Sequence, residues 1–199
     1  MSVNLQKGQK VNLRKNDKET LKRVMVGLGW DEVEQKKGFF GFLKAKQPID
    51  CDASAILCKK GKLVDFKTDV VFYNNLRHKS GAVEHQGDNL TGAGDGDDEQ
   101  IFVDLSALPS EYDRIVFVVT IYQASERGQH FGLIENAFIR ICDASNDVEF
   151  CKFNLSENYS GKTAMIVGEI VKDGGEWKFN ALGQPTTDNG ILDMAKRFA

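Results

Sequence analysis

Residues 87–99 constrain the fold most, because this segment cannot be part of a hydrophobic core. It reads Gly-Asp-Asn-Leu-Thr-Gly-Ala-Gly-Asp-Gly-Asp-Asp-Glu, with five carboxylates, one amide, one hydroxyl and four glycines. The negative charges repel one another, and glycine loses more backbone entropy than other residues when it becomes ordered. The segment is therefore a loop, and a partner must neutralise it if it is ordered.

Calcium is a suitable partner, because it takes roughly 6–8 oxygen ligands from carboxylates, amides, carbonyls and water. The presence of Asn89 and Thr91 among the acids favours a metal site over a solvated, mobile acidic loop, which is the alternative. Alternation places Asp95, Asp97 and Glu99 on one side as the chain enters a strand. The spacing is not that of an EF-hand, which needs acidic or amide residues at positions 1, 3 and 5 and glutamate at 12.

The composition is ordinary for a soluble globular protein, and 199 residues with 41% hydrophobic content suffice for a single domain over residues 1–199. The net charge of -3 gives no case for nucleic-acid binding, which usually requires a basic domain. The N-terminus lacks the apolar core of a signal peptide, and no stretch approaches the ~18 apolar residues of a membrane helix. We therefore expect a cytoplasmic protein.

The four cysteines lie in apolar, strand-like contexts, and none forms a Cys-x-x-Cys pair. They are Cys51, Cys58, Cys142 and Cys151. We expect reduced, buried thiols, which agrees with a cytoplasmic location and argues against direct reaction with oxidants.

Short strands separated by turn signals predict an all-β fold, an antiparallel β-sandwich of two sheets. Residues 114–122 form the most apolar run and are expected to be a central strand. Val3–Leu5 and Lys10–Leu13 flank Lys7-Gly8 as a hairpin or a bent edge. The other predicted strands are Val24–Trp30, Ile49–Cys58, Asp69–Tyr73, Val83–His85, Gln100–Leu105, Ala137–Cys142, Val148–Leu155, Thr163–Val171 and Trp177–Leu182.

Only the C-terminal tail has a helical pattern, which predicts one short helix at the end of the sandwich. Ile191, Leu192, Ala195 and Phe198 fall on one helical face, after Asp188 or Asn189 as a cap.

The strand at Ile49–Cys58 has two acids on one face, since Asp50 and Asp52 alternate with apolar residues. Their Cα atoms are expected to lie about 6.5–7 Å apart, so the carboxylates can reach one ion or two neighbouring ions. The alternative is that they solvate a strand end. Gly27 and Gly29 also share one face, which indicates a bulge or the close approach of another backbone.

Residues 32–48 are predicted to form a loop with phenylalanines among lysines. These residues are Lys36, Lys37, Phe39, Phe40, Phe42, Lys44 and Lys46. Such a pattern can contact an anionic membrane or a protein partner. We favour the alternative, in which phenylalanines pack on the core while the lysines are solvated.

The evidence for an enzyme is thin, and no catalytic residue is predicted. The histidines His78, His85 and His130 are scattered, and Ser125 and Ser156 have no evident His or Asp companions. His85 precedes the acidic segment and could be a base, but we expect a surface residue at a strand end. Phosphate-binding glycine motifs with a lysine are absent.

Several motifs, in order over nearly the whole chain, resemble the TerD family of bacterial tellurite-resistance and general stress proteins. They are Gly27-Leu28-Gly29-Trp30-Asp31, Asp52-Ala53-Ser54-Ala55, Phe72-Tyr73-Asn74-Asn75-Leu76, Gly87-Asp88-Asn89, Thr91-Gly92, Gly94-Asp95-Gly96-Asp97-Asp98-Glu99, Phe117-Val118-Val119-Thr120-Ile121 and Gly175-Glu176-Trp177-Lys178-Phe179. Residues 36–46 depart from the family pattern, where the link to Asp50 is shorter and more acidic.

The resemblance implies a β-sandwich with two adjacent calcium sites at one end, and hence about two bound ions. Carried over residue by residue, the metal ligands are Asp50, Asp52, Asn75, Asp88, Asn89, Thr91, Asp95, Asp97, Asp98 and Glu99, with Asp31 as a further candidate. It also implies a stress-response protein that acts as a binding or scaffold module, with other stress or tellurite-resistance proteins as partners.

Two other functions remain open from the sequence. One is calcium-dependent attachment to a membrane surface, with Phe39, Phe40 and Phe42 inserting into the lipid. The other is metal-assisted hydrolysis or phosphoryl transfer, because paired ions about 4 Å apart can clamp a phosphoryl group.

Overall fold

The computed structural model describes residues 2–16, 19–33, 47–87, 96–155 and 157–199, and places most strands in two six-stranded sheets. The first sheet has the spatial order β1 (Val3–Leu5), β12 (Val148–Asn154), β11 (Ile134–Asp143), β5 (Arg23–Glu32), β9 (Glu99–Asp104) and β8 (Val83–His85). The second has the order β2 (Lys10–Asn12), β14 (Glu176–Thr186), β13 (Ala164–Asp173), β10 (Arg114–Ile121), β6 (Cys51–Cys58) and β7 (Val70–Val71). The remaining pair is β3 (Arg14–Asn16) with β4 (Glu19–Thr20).

The predicted all-β sandwich is confirmed, and among the described strands every pairing is antiparallel except that of β1 with β12. The core lies between the two sheets, because alternate residues of each strand point inward. Val26 and Leu28 of β5 and Phe117 of β10 belong to this one apolar cluster. As predicted from its apolar character, β10 is central and pairs with both β13 and β6.

The helices are α1 (Phe66–Asp69), α2 (Ala124–Arg127) and α3 (Ile191–Lys196), with a 3₁₀ turn at Phe131–Leu133. The C-terminal helix is confirmed, and Ile191 and Met194 pack with Ile56 and Cys58 on the outer face of the second sheet. The prediction that only the tail is helical was wrong. α1 and α2 are single turns without a periodic apolar face. Asp65 caps α1 by accepting from Lys67 N–H, and the left-handed backbone of Gly128 ends α2. Within the described residues, no helix is long and apolar enough to cross a membrane.

The N-terminal strands do not form a hairpin. β1 pairs with β12 in the first sheet, whereas β2 pairs with β14 in the second. The chain crosses between the sheets near Gly8, which has a φ of 82° and donates its N–H to the carbonyl of Ala181 at 2.7 Å. The bent-edge alternative describes this segment better, and Gly8 supplies the left-handed backbone that the crossing needs.

The acidic segment is the connection of a β-hairpin. β8 and β9 are antiparallel neighbours with His85 opposite Ile101, and Gln86 N–H donates to Gln100 O at 3.0 Å. Glu99, the last residue of the acidic segment, is paired with Leu28 near the end of β5. The beginning of β6 lies at the same end, because Ala53 N–H donates to Glu99 Oε2. Tyr122 N–H, just after the last residue of β10, donates to Asp50 O at 2.8 Å.

Candidate metal site

Glu99 links the base of the acidic segment to the opposite sheet. Its side chain is fully buried, and Oε2 accepts a hydrogen bond from the N–H of Ala53 at 2.5 Å. Because β7 pairs only with Ala55 and Ile56, the backbone of Ala53 lies beyond the end of that strand. A carboxylate from the first sheet therefore satisfies a backbone donor of the second, and it fixes where the acidic segment ends.

His85 fixes where the acidic segment begins. Its Nδ1 accepts from the N–H of Gly87 at 3.1 Å, so the neutral ring carries its proton on Nε2. This Nε2 lies 3.2 Å from the carbonyl oxygen of Ala53 and 3.4 Å from Glu99 Oε2. The expectation of a surface histidine was wrong, because His85 alternates with Val83 and so points inward.

Asp98 is held against the end of β5. Its Oδ2 accepts from Trp30 N–H at 2.8 Å, and its own N–H donates to Leu28 O at 2.8 Å. Burial raises the pKa of Asp98. The Trp30 hydrogen bond lowers it, but the charges of Asp31 and Asp97 raise it further, so the pKa lies above its ordinary value. The surroundings of this carboxylate therefore favour a compensating positive charge.

Asp97 points away from Glu99, so the prediction that they lie on one side was wrong. Its Oδ1 and Oδ2 accept from Arg140 Nε and Nη2 at 2.7 and 2.9 Å, and Gln100 donates to Oδ2 at 3.1 Å. Regular alternation begins only at Glu99, because Gly96 has a φ of 114° and residues 96–98 are not yet in the strand. A metal ion at Asp97 would have to compete with Arg140.

The two glycines of β5 make room for this segment. A Cβ on Gly27 would lie 2.3 Å from Asp97 Oδ1, and one on Gly29 would lie 2.6 Å from the carbonyl oxygen of Gly96. A side chain on Gly27 would displace the Asp97 carboxylate, and one on Gly29 would displace both the Phe138 ring and the backbone of Gly96. The prediction of a close backbone approach is confirmed, and the glycines set the position of residues 96–97 over the first sheet.

The acids at the start of β6 lie at the same end of the molecule. Asp52 is 6% exposed and is paired in register with Thr120 of β10. Asp50 is half-buried and precedes the strand. The predicted separation of β6 into two faces is confirmed. Ala53, Ala55 and Leu57 face the core between the sheets, whereas Ile56 and Cys58 pack on the outer face, in the apolar cluster that contains α3.

Asn75 and Asp31 have structural roles in the described residues. Asn75 Nδ2 donates to Val70 O at 2.7 Å and closes the turn after β7. Asp31 Oδ2 accepts from Asn136 Nδ2 at 2.8 Å, between β5 and β11. The amide nitrogen of Asn75 thus bonds within its own turn.

Several predicted ligands lie outside the described residues, and their assignment stays a prediction. They are Asp88, Asn89, Thr91 and Asp95, and the same holds for Phe39, Phe40 and Phe42. In the ranges that the structure covers, no group of three His, Cys, Asp or Glu side chains is arranged to hold a metal ion.

The donor chemistry at this end fits a hard cation. Asp52, Asp98 and Glu99 offer carboxylate oxygens, which calcium prefers. Cys51 is buried beside them, and burial, followed by the charges of Asp52 and Glu99, raises the pKa of its thiol. The sulfur therefore stays protonated and is a poor ligand for a soft metal.

The other cysteines are equally unreactive. All four are buried free thiols, as predicted. Burial raises the pKa of Cys58 and Cys142 to about 11 and that of Cys151 to about 12. Since the thiolate is the reactive form, these residues offer no nucleophile at neutral pH.

Comparison with known proteins gives one consistent family. The TerD domain profile matches residues 1–198. The chain is 48% identical over 200 residues to stress response protein SCP2 of Bacillus subtilis (strain 168) and 42% identical over 214 residues to tellurium resistance protein TerX of Serratia marcescens, in both cases over the full length of each chain. A solved homologue of telluride resistance protein (TerD), SCO6318 from Streptomyces coelicolor A3(2), superposes with a TM-score of 0.65 at 22% identity, covering 90% of this chain and 98% of that one, and shows the same fold.

Proposed function

The chain belongs to the TerD family, and on this premise we propose that it is a cytoplasmic, calcium-binding stress-response protein of the tellurite-resistance type. It binds about two calcium ions at the end of the sandwich that carries the acidic segment. It acts as a binding or scaffold module, with other stress or tellurite-resistance proteins as partners, rather than as an enzyme.

The observation that carries the proposal is the hydrogen bond from Ala53 N–H to Glu99. It brings the end of the acidic segment against the beginning of β6, where Asp50 and Asp52 lie. Acids from two distant parts of the sequence are thus brought to one end of the fold, with Glu99 on the inner face of the second sheet and Asp52 on its outer face. Oxygen donors of this kind are those that calcium takes. The names of the relatives support the stress and tellurium context.

Calcium supplies the positive charge that this end of the molecule lacks. Residues 87–99 carry five acids, of which Asp97 is neutralised by Arg140. A bound ion offsets the repulsion among the others and fixes the segment between His85 and Glu99. The ordered segment then presents a surface to a partner, and calcium removal withdraws that surface.

The test is calcium binding by calorimetry together with thermal unfolding in calcium, magnesium or chelator. At calcium concentrations about 100 times Kd, binding to the native state adds about 2.7 kcal/mol, which raises Tm by about 5–10 °C. Asp98→Asn can still accept the Trp30 hydrogen bond, so we expect it to fold and to bind calcium more weakly. The same stabilisation in magnesium would contradict selectivity for calcium.

Asp147→Asn is the matched control, because Asp147 is an exposed acid with a φ of 57° that asparagine tolerates. We expect its calcium affinity to equal that of the wild type. If calcium neither binds nor raises Tm, the acidic segment is a solvated loop and the metal ligands must be withdrawn. If Asp147→Asn weakens binding as much as Asp98→Asn, the effect is one of net charge.

A further inference from the structure

A cavity of about 490 Å³ opens on the outer face of the second sheet. It is bounded by the turn after β7, the end of β10, the first turn of α2 and the beginning of α3. Its volume lies within the range of roughly 300–1,000 Å³ that small-molecule sites occupy. Five separate parts of the chain, at residues 52, 66, 72–74, 120–126 and 189–192, supply its described lining, so the cavity exists only in the folded domain.

One wall of the cavity is aromatic. The rings of Phe66 and Phe72 lie 5.7 Å apart, and those of Phe72 and Tyr73 meet edge to face at 5.3 Å. Tyr122 and Leu192 stand at the mouth and are 39% and 62% exposed. Such side chains offer a ligand both apolar contact and the negative faces of the rings.

The charged groups of the cavity are all acidic. Asp52 and Glu126 are the charged side chains among its described lining residues, and no lysine, arginine or histidine lines it there. Asp52 lies beside Thr120, its cross-strand neighbour, and both are nearly fully buried. Glu126 is exposed on α2. The described lining therefore offers carboxylates and no positive charge of its own, which favours a cation over an anion as ligand.

We propose that the cavity binds a small organic cation, an amine or quaternary ammonium that carries an aromatic or branched apolar group. Its apolar part packs against Phe66, Phe72 and Tyr73, and its ammonium is directed toward the acidic side chains. Aromatic walls with a nearby carboxylate are the chemistry by which proteins recognise ammonium groups. The ring of Tyr122 already accepts one cation, the guanidinium of Arg127, whose Cζ lies 4.9 Å from the ring centroid.

This site does not depend on the proposed calcium function, although the two meet at Asp52. If calcium binds at Asp52, the ion neutralises one of the two acids and weakens binding of the amine. If calcium binds elsewhere or not at all, the amine still binds and calcium has no effect on it. The two proposals can therefore fail separately.

The test uses three compounds of similar size and different charge: 2-phenylethylamine, 2-phenylethanol and phenylacetate. Each is titrated into the full-length protein in chelator, with affinity from calorimetry and location from NMR chemical-shift changes. We expect the amine to bind about tenfold more tightly than the alcohol and the carboxylate not to bind, with the largest shifts at Phe72, Tyr73 and Tyr122. Repeating the amine titration in calcium shows whether calcium bound at Asp52 weakens binding of the amine.

Two variants test the assigned chemistry. Glu126→Gln removes an exposed charge, and Tyr122→Leu keeps an apolar side chain at the mouth but removes its ring. We expect each to weaken the amine about threefold without changing Tm. Asp147→Asn, a charge-matched change in the turn between β11 and β12, should leave the affinity unaltered.

Equal or tighter binding of phenylacetate would overturn the proposed class of ligand. Amine binding that is undetectable up to about 10 mM, or chemical-shift changes that map away from the cavity, would overturn the site. Unchanged affinity in both variants would also overturn it, because the binding would then owe nothing to the ring or to the charge.

Discussion

Two buried carboxylates lie at opposite ends of β8, and each has a buried histidine beside it. His78 Nε2 lies 3.5 Å from Asp69 Oδ1, next to the first residue of β8, since His78 N–H donates to Val83 O. His85 Nε2 lies 3.4 Å from Glu99 Oε2, at the last residue of the strand. All four side chains are almost inaccessible to solvent. Similar pairs thus lie in very different surroundings.

The Asp69 pair belongs to a hydrogen-bond network within the body of the domain. Asp69 Oδ1 accepts from Tyr112 Oη at 2.7 Å and from Thr68 Oγ1 at 3.0 Å, and the ammonium of Lys79 lies 3.4 Å away. Burial would raise the pKa of Asp69, but the two hydroxyls and the lysine charge outweigh it, so its pKa lies below the ordinary value. Its ionised state is stabilised by the fold itself.

The Glu99 pair is instead connected to the acidic segment, through His85. Glu99 bonds to Ala53, and His85 bonds to Gly87, the first residue of that segment. A buried carboxylate beside a histidine is therefore not in itself a sign of a ligand site. What separates the two regions is where the bonds of the histidine lead: His78 bonds to Ser80 and Tyr112 within the framework, whereas His85 bonds to Gly87 at the beginning of the acidic segment.

The largest effect is expected from Asp69→Ala. The change leaves the buried Tyr112 hydroxyl without its acceptor and removes the carboxylate that faces His78, and breaking such a network costs about 3–5 kcal/mol. Urea unfolding in chelator measures the loss. The calcium-dependent increment of stability should stay as in the wild type. A loss below about 1 kcal/mol would show that Asp69 is not the acceptor that holds this end together.

Glu99→Gln comes next, and its effect should depend on calcium. In chelator we expect a loss of about 1 kcal/mol, since an amide oxygen can still accept from Ala53. In calcium at about 100 times Kd the loss should grow by up to about 2.7 kcal/mol, because the ligand no longer stabilises the native state as strongly. Paired urea titrations with and without calcium give both values. If the loss of unfolding free energy is equal in chelator and in calcium, Glu99 has a purely structural role, like Asp69.

A smaller effect is expected from Tyr112→Phe. The ring still fills its site, but Asp69 and His78 each lose one hydrogen-bond partner, at a cost of about 1–2 kcal/mol. Tyr122→Phe is the control, because Tyr122 is partly exposed and no hydrogen bond of its hydroxyl is seen in the described structure. Urea unfolding of the two variants compares them directly. Equal stabilities would remove Tyr112 from the network.

The smallest effect concerns pH. Burial lowers the pKa of His78, although Asp69 opposes the shift. Below about pH 6.5 the unfolded chain therefore takes up a proton that folded His78 resists, and stability falls as the pH decreases through this range. The decline in the free energy of unfolding between pH 7 and 5 should be shallower in His78→Gln than in the wild type. Parallel profiles would assign the pH dependence to other groups.

The fold was predictable from sequence because its main signals are local. Alternation in β6 and β9 and the apolar run of β10 are read within ten residues, and the Asp-Gly-Gly turn marks the hairpin of β13 and β14. Gly27 and Gly29 predicted that another part of the chain approaches β5 closely. They did not predict that this part is residues 96–97. The one-turn helices α1 and α2 were missed, since no periodic pattern fits in a single turn.

The site was predictable only in part, because its chemistry depends on contacts between distant residues. The sequence pointed to Asp52, Asp98 and Glu99, and the structure brings their strands to one end. No sequence pattern indicated that Arg140, 43 residues away, would form an ion pair with Asp97. His85 was read as exposed, although its alternation with Val83 is a signal for an inward position. The cavity could not be predicted from the sequence, since five separate segments supply its described lining.

The placement of β1 and β2 has a consequence for how the protein is made. The first strand pairs with residues 151–153 and the second with residues 178–180, so the N-terminal segment leaves the ribosome long before its partners exist. Until then β1 and β2 have no partner strand, and open strand edges are sites of mispairing between chains. These two strands can therefore dock only late in synthesis, and each then covers an edge that β12 or β14 would otherwise expose.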